Sequence, residues 1–190
     1  AVVKALRDKT GAGMMDCKKA LAESNGDMDM AVDYLRKKGA ATAEKRHDRS
    51  ANEGVVATSI ENGKGYIIEV NCETDFVARS EDFLGFAADV MTAIKSAHPA
   101  DIDALLAVDV NGITVGTKLT DIIGKIGEKI AVKRFATFDT KGQLVEYIHP
   151  GAKLGVMLEL SSASTHDDVR QLGKDLAMQV AAMSPVAIDR

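Results

Sequence analysis

The chain has 190 residues, of which 46% are hydrophobic and 27% are charged, with only three prolines. This composition is typical of a folded globular protein and excludes a disordered one. A formal net charge of −4 leaves no general basic field for phosphates, so we expect a protein partner and no direct nucleic-acid binding. No apolar stretch approaches the roughly 20 residues that span a bilayer, and the first residues lack the apolar segment of a signal peptide. We therefore expect no membrane association and a cytoplasmic location.

Three short helices are predicted in the N-terminal part of the chain. Apolar residues recur at helical spacing over 2–9, 14–23 and 28–38, and Asp27 occupies the N-cap position of the third helix. Gly39 follows a basic turn, which predicts that it ends this helix as the C′ residue. Between the first two helices, a turn with positive φ angles accounts for both Gly11 and Gly13. The polar segment that follows the third helix shows no apolar periodicity and is interpreted as a solvated linker, helical or not.

A first α/β unit is predicted after this linker. Two β-branched runs, 54–60 and 66–71, flank Asn62-Gly63 and predict a β-hairpin. Ser80 is the predicted N-cap of a helix that ends near residue 97. Further helices over 102–107 and 118–126 and a strand over 129–138 complete the unit.

The pattern then begins again. Strands are predicted over 144–148 and 153–160, and a helix over 169–183 with Leu172 and Leu176 facing inward. A shift of 90 positions superposes Gly65 on Gly155 and Glu69 on Glu159, which predicts two duplicated subdomains. The second lacks a counterpart of the helix and strand over 118–138. Either the chain is a truncated form or a fragment, or a second copy completes this unit by homodimerisation, and the sequence leaves both alternatives open.

The residues that carry enzyme chemistry are scattered. Cys17 and Cys72 are far apart, and the four histidines have no neighbours at metal-ligand spacing and no nucleophile motif. The glycines near residue 11 lack the full spacing of a phosphate-binding loop. We therefore expect no metal site, no cofactor and no catalytic residue, and we predict a binding protein.

Three local features are candidates for binding. Met14-Met15 begins a helix in a bundle too small to bury both side chains, although core packing is an equal alternative. Lys18-Lys19 follows on the same helix, where a solvated face is the favoured interpretation unless a partner is known. Phe76 and Val77 lie in the connection before the helix at Ser80, where they are either pinned into the core or presented outward. From the residues alone, the core interpretation is favoured.

Four motifs in chain order resemble the elongation factor Ts family. They occupy residues 10–21, 69–78, 125–130 followed by Arg134, and His149 with 151–156. The resemblance runs from about residue 3 to residue 185. It implies an α+β fold with a ubiquitin-associated-like three-helix bundle at 1–39, a linker at 40–53, and a core of two duplicated α/β subdomains at 54–140 and 141–190, each with antiparallel strands and helices packed on one side, the second apparently truncated.

The same resemblance implies a function. Members of this family bind the translational GTPase elongation factor Tu and promote release of GDP without changing a covalent bond. The matching motif that is associated with dislodging the partner's Mg²⁺ comprises Thr74, Asp75, Phe76 and Val77. The resemblance thereby reverses the core interpretation and implies that Phe76 is presented outward, as a wedge that enters between the partner's helices. The resemblance also implies partner contacts in the N-terminal domain by Gly11, Gly13, Met14, Met15, Lys18 and Lys19, and in the core by His149 and Gly151. The rival hypothesis is an adaptor that uses its helical bundle to bind a peptide or helix and leaves the nucleotide unaffected.

Overall fold

The computed structural model describes residues 1–162, 164 and 166–186. Its first three helices are α1 (Val2–Thr10), α2 (Met14–Glu23) and α3 (Met28–Lys45). They enclose a small core of their own around Leu6, Cys17 and Ala31. The predicted N-cap is confirmed, because the Asp27 carboxylate accepts a hydrogen bond from the Met30 N–H at 2.8 Å. The three predicted helices are therefore present and pack around a common core, and we call them the bundle.

A three-stranded antiparallel sheet forms the centre of the first α/β unit. Its strands are β1 (Glu53–Glu61), β2 (Lys64–Cys72) and β5 (Ile130–Asp139), with β2 in the middle. The predicted hairpin is confirmed, and its turn residues Asn62 and Gly63 have φ angles of 51° and 76°, as a tight two-residue hairpin turn requires.

The segment between β2 and β5 is mainly helical. The elements in this segment are α4 (Asp75–Ala78), α5 (Glu81–Ala97), α6 (Ile102–Ala107), the short strands β3 (Asp109–Val110) and β4 (Ile113–Thr114), and α7 (Val115–Ile126). Ser80 caps α5 as predicted, accepting from the Phe83 N–H. Helix α7 begins before the predicted residue 118 because Thr114 caps it, accepting from the Thr117 N–H at 3.2 Å. The short elements β3, β4 and α4 were not predicted from the sequence.

The main core lies between this sheet and its helices. Alternate side chains of β2, from Tyr66 to Cys72, are buried together with Phe83 and Ile94 of α5 and Ile123 of α7. Strand alternation therefore directs one face of the sheet towards the helices.

The second unit packs on the opposite face of the sheet. It consists of the antiparallel strands β6 (Gln143–Ile148) and β7 (Gly155–Leu160) and the helix α8 (Asp167–Met183). Gly155 lies directly against Val56 of β1, and Gly65 of β2 lies against Leu144. On the other face of the β6–β7 pair, Gly173 of α8 contacts Val145. The layers therefore run from helices to sheet to hairpin to helix, which makes this an α+β fold.

Helix α8 presents a different face from the one predicted. Gly173 and Ala177 are buried, whereas Leu172 and Leu176 are exposed, so the prediction that both leucines face inward is wrong. Small residues occupy the inner face because the helix approaches β6 and β7 closely.

The duplication remains a prediction. Both units have two strands followed by a helix, but their hairpins are paired differently. Glu53 pairs with Cys72, and the 90-residue shift would place these at 143 and 162, whereas Gln143 pairs with Leu160.

Helix α3 runs through the position at which it was predicted to end. Gly39 lies inside the helix, so its assignment as a C′ residue is wrong. A Cβ atom at Gly39 would lie 2.9 Å from the Thr120 carbonyl oxygen and 3.5 Å from the Gly124 Cα, both in α7. The glycine therefore permits two helix backbones to cross, and the start of the segment interpreted as a solvated linker is helical, with Ala43 packed on the main core.

The end of α3 is held by an ionic contact with the core. The Glu73 carboxylate accepts hydrogen bonds from Arg46 at 2.6 Å, from Arg49 at 3.1 Å and from the Lys129 N–H at 2.6 Å. Burial alone would raise the pKa of Glu73, but these donors lower it from 4.5 to about 2. The carboxylate is therefore ionised in the folded protein and joins the bundle, β2 and β5.

In the part of the chain that the structure describes, none of the helices combines the length and apolarity needed to cross a membrane.

We predict that Gly39→Ala lowers the free energy of unfolding by about 1–3 kcal/mol, because the added methyl group would separate α3 from α7. Gly85→Ala is the matched control, since Gly85 is also helical but has open space around its Cβ position. That variant is expected to gain roughly 0.5–1 kcal/mol from helix propensity. Urea unfolding measures both, and a stabilised Gly39→Ala variant would contradict the close crossing.

We also predict that Glu73 contributes to acid sensitivity. Because folding lowers its pKa, the stabilisation by its carboxylate is complete above pH 4.5 and is lost as the pH falls towards 2. The loss amounts to roughly 2–3 kcal/mol. Chemical denaturation across this range should give a flatter pH dependence for Glu73→Gln than for the wild type. Glu146→Gln, which alters an exposed acid on β6, should retain the wild-type slope, and parallel curves for Glu73→Gln and wild type would refute the prediction.

Candidate functional site

The short helix α4 presents an aromatic side chain to solvent. Phe76 is 81% exposed, whereas Val77 packs against the main core and Ala78 is buried. Successive residues of a helix point in different directions, so one turn is enough to send Phe76 outward and its neighbours inward. The core interpretation is therefore wrong for Phe76 and correct for Val77.

The residue before α4 is held by a carboxylate from another part of the chain. The Thr74 N–H donates to Glu128 Oε2 at 3.0 Å, and the Thr74 hydroxyl donates to Oε1 at 2.8 Å. In the opposite direction, the Lys129 N–H donates to Glu73. Each glutamate thus caps the backbone of the segment that carries the other. We call Glu73, Thr74, Glu128 and Lys129 the carboxylate clamp.

Cys72 adds a further contact to this clamp. Its thiol donates to the Thr74 carbonyl oxygen at 3.2 Å. Burial, and then the charge of Glu128, raise the pKa of Cys72 to about 11. The thiol therefore stays protonated and neutral, so it acts here as a buried donor and not as a nucleophile.

Charged side chains surround α4. Asp75 forms an ion pair with Arg79 one turn later, and Glu73, two residues before α4 begins, binds Arg46 and Arg49. The exposed Phe76 therefore projects from a polar and ionic base.

A second exposed surface lies at the start of α2. Met14 and Met15 are exposed, Met15 by 73%, and Lys18 and Lys19 follow one turn later, also exposed. These four residues, which we call the α2 surface, place flexible apolar side chains beside two positive charges. Packing of both methionines in the core is thereby excluded.

The two glycines before α2 have different roles. Gly11 ends α1 with a φ of 68° and lies against the Lys125 side chain of α7. Gly13 has a φ of −58° and is the N-cap of α2, so the prediction that both glycines need positive φ is wrong for Gly13. Glycine is common at an N-cap because it leaves the first N–H groups open to solvent.

His149 and Gly151 lie in the loop between β6 and β7. His149 Nδ1 lies 2.8 Å from the Tyr147 hydroxyl, and Gly151 has a φ of 91°. In the same loop, the Ala152 carbonyl oxygen accepts from the Val56 N–H at 2.6 Å. The loop is therefore attached to the edge of β1.

The predicted site residues lie on three different parts of the fold. Thr74 to Val77 share one base, the N-terminal set lies in the bundle, and the His149 loop lies on the second unit. The supporting roles of Glu73, Glu128, Arg46 and Arg49 were not predicted from the sequence. Both glutamates stood within the motifs that carried the resemblance, but Thr74 and Glu128 are separated by 54 positions, and no local pattern pairs them.

Within the described ranges, no group of three or more His, Cys, Asp or Glu side chains is arranged to hold a metal ion. The described residues present three exposed features: an aromatic ring on a fixed base, the α2 surface, and a loop held against β1.

The chain is similar in sequence to proteins of one known family. The family model for elongation factor TS matches residues 73–190. Elongation factor Ts of Chloroherpeton thalassium is 50% identical over 195 residues, with 99% of this chain and 67% of the relative covered. The protein of the same name from Chlorobium phaeobacteroides is 51% identical, with the same coverage.

A more distant bacterial relative gives the same result. Elongation factor Ts of Clostridium perfringens is 47% identical over 188 residues, which cover 97% of this chain and 62% of the relative. The chain thus spans about two thirds of the length of these relatives. With a family match over residues 73–190 and about half of its residues identical to these proteins, the chain belongs to the elongation factor Ts family of translation elongation factors.

Proposed function

We propose that this chain is a guanine-nucleotide exchange factor that binds elongation factor Tu·GDP and promotes GDP release during translation elongation. The observation that carries the proposal is Phe76, an aromatic side chain that is 81% exposed on a base fixed by the carboxylate clamp. A phenylalanine gains about 1.5–3 kcal/mol on burial, which the isolated fold forgoes. That free energy is available for insertion into a partner.

In the proposed mechanism, Phe76 enters between elements of the partner that position Mg²⁺ and the phosphates, while Thr74, Asp75 and Val77 form the rest of the contact. Displacing those elements releases the ion, which is the largest positive charge near the nucleotide, so GDP is held less tightly. The exchange factor acts by binding and changes no covalent bond.

Thermodynamic linkage makes this action reversible. If the factor weakens GDP binding by a given ratio, GDP weakens binding of the factor by the same ratio. A fresh nucleotide in excess therefore expels the factor from the partner and completes the cycle.

Affinity for the partner is assigned to the other surfaces. Methionine side chains adapt to irregular apolar surfaces, and lysines favour an acidic partner, so the α2 surface, together with Gly11 and Gly13, serves as the N-terminal grip. His149 and Gly151 provide a contact from the second unit. On this assignment the α2 surface determines how tightly the partner is held, and Phe76 determines how fast GDP leaves.

The remaining assignments belong to the same proposal. The bundle corresponds to a ubiquitin-associated-like domain at 1–39, followed by duplicated subdomains at 54–140 and 141–190, and the protein acts in the cytoplasm without direct contact to nucleic acid. Homodimerisation through the second unit stays a prediction, for which the exposed Leu172 and Leu176 of α8 offer an apolar surface.

The adaptor hypothesis makes a different prediction. An adaptor would bind through the bundle and leave GDP release unchanged. Stopped-flow measurement of labelled GDP leaving elongation factor Tu distinguishes the two, because binding without faster release would refute the exchange function.

We predict that Phe76→Ala lowers the accelerated GDP release rate at saturating factor by about tenfold or more, the equivalent of losing the burial of one aromatic ring. The fold should be unchanged, because Phe76 is outside the core. The control is Met178→Ala, which truncates an exposed apolar side chain far from α4 in the sequence, on α8. With this variant, GDP should leave elongation factor Tu at the wild-type rate. Full activity of Phe76→Ala would exclude the insertion of Phe76 as the cause of GDP release.

We predict the opposite pattern for the α2 surface. Met15→Ala should weaken binding to elongation factor Tu by about five- to tenfold, as expected for truncating one buried contact, while the release rate at saturation stays near that of the wild type. Met30→Ala, an exposed methionine of α3 in the same bundle, controls for the loss of a methionine alone. Titration by isothermal calorimetry and stopped flow gives both quantities, and a lower saturating rate with unchanged affinity would contradict this division of roles.

A further inference from the structure

We propose that Glu128 is a positioning residue for Phe76, and that its carboxylate orders α4 so that the aromatic side chain is presented in one direction. The consequence for GDP release rests on the proposed exchange function, whereas the ordering of α4 can be measured without it.

Helix α4 needs support from outside because it is too short to be stable by itself. It contains four residues, and isolated helices below about 12 residues are marginal in water. Phe76 is the side chain that must be aimed, yet it is 81% exposed and gains little from packing in the free protein. Its direction is therefore determined by the residues at the base of the helix.

Glu128 provides that support at Thr74, the N-cap of α4. A hydroxyl has one proton and two lone pairs. Because the Thr74 hydroxyl donates its proton to Glu128 Oε1, its oxygen is left to accept from the Val77 N–H, at 3.4 Å. The second carboxylate oxygen accepts from the Thr74 N–H. Glu128 thus fixes the backbone of the cap and also selects the hydroxyl orientation that caps the helix.

The position of Glu128 is itself well defined. It follows Gly127, which ends α7 with a φ of 78°, and it precedes Lys129, whose N–H is bound by Glu73. The carboxylate therefore extends from a turn between two elements of the main core. Its hydrogen bonds to Thr74 are also strong, because hydrogen bonds to a charged acceptor are stronger than those between neutral groups.

Contacts that do not involve Glu128 also hold the segment before α4 against the segment before β5. Glu73 binds the Lys129 N–H as well as Arg46 and Arg49, and Val77 and Ala78 pack in the core. Removing the Glu128 carboxylate should therefore release the cap of α4 and leave the surrounding fold in place. Phe76 would then have to be ordered when the partner binds. That ordering costs free energy, whereas in the wild type the helix is already ordered before binding.

Amide hydrogen exchange on the full chain tests the ordering directly. In Glu128→Ala, protection at the Thr74, Val77 and Ala78 amides should fall by about tenfold or more, as expected for losing charge-assisted hydrogen bonds, while protection in α5 and β2 stays at the wild-type level. Unchanged protection in α4 would overturn the proposal. A loss that extends through α5 and β2 would also overturn it, because Glu128 would then be a general stabilising residue.

A double-mutant cycle with Phe76 tests the functional consequence. Glu128→Ala should slow GDP release from elongation factor Tu at saturating factor by about tenfold, but should cause no further loss in the Phe76→Ala background. Equal losses in both backgrounds, or wild-type release by Glu128→Ala, would overturn a role through Phe76. Glu146→Ala, which removes an exposed acid on β6, is the matched control.

The two measurements separate the two proposals. If the wild-type chain binds elongation factor Tu and does not accelerate GDP release, the proposed exchange function fails, and the amide exchange of α4 still decides whether Glu128 orders the helix. If the wild type accelerates release and the cycle is additive, the exchange function stands and the positioning role fails.

Discussion

Helices α3 and α7 meet with their backbones almost in contact at Gly39 and Gly124, because neither residue has a side chain at the crossing. Helix α3 contributes Met28 and Leu35 to the bundle core and Ala43 to the main core. One continuous helix therefore belongs to both parts of the molecule, and the crossing fixes where the bundle lies on the core. This contact determines the orientation of the α2 surface. It also places Arg46 and Arg49 within reach of Glu73.

The same helix connects the bundle with the base of α4. Its last turn leads into two arginines that bind Glu73, and Glu73 is adjacent to the N-cap of the helix that carries Phe76. The exposed apolar side chains of α4 and α2 consequently differ in character. Phe76 is a rigid aromatic ring on a hydrogen-bonded base, whereas the methionines of α2 are flexible chains on a helix face. A fixed ring suits displacement of a partner's structure, and an adaptable surface suits attachment to it.

Packing of the second unit also depends on small residues at close approaches. Gly65 and Gly155 allow the β6–β7 hairpin to lie on the open face of the three-stranded sheet, and Gly173 allows α8 to lie on the hairpin. The inner face of α8 is therefore made of small side chains, and its leucines lie outside. An apolar period in the sequence indicated a helix here, but it did not indicate which face of that helix is buried.

The sequence by itself determined most elements of the α+β fold, the Asp27 and Ser80 caps, the Asn62-Gly63 turn and the motifs that place the chain in its family. These features depend on local preferences and on patterns within a few residues. Tertiary structure decided the rest: that Gly39 lies at a helix crossing and not at a helix end, that Phe76 points outward while Val77 points inward, and that Glu128 binds Thr74. Each of these features depends on contact with a segment that is distant in the sequence. A glycine or a glutamate can have several roles that the local sequence does not distinguish, and the residues packed against it determine which role it has.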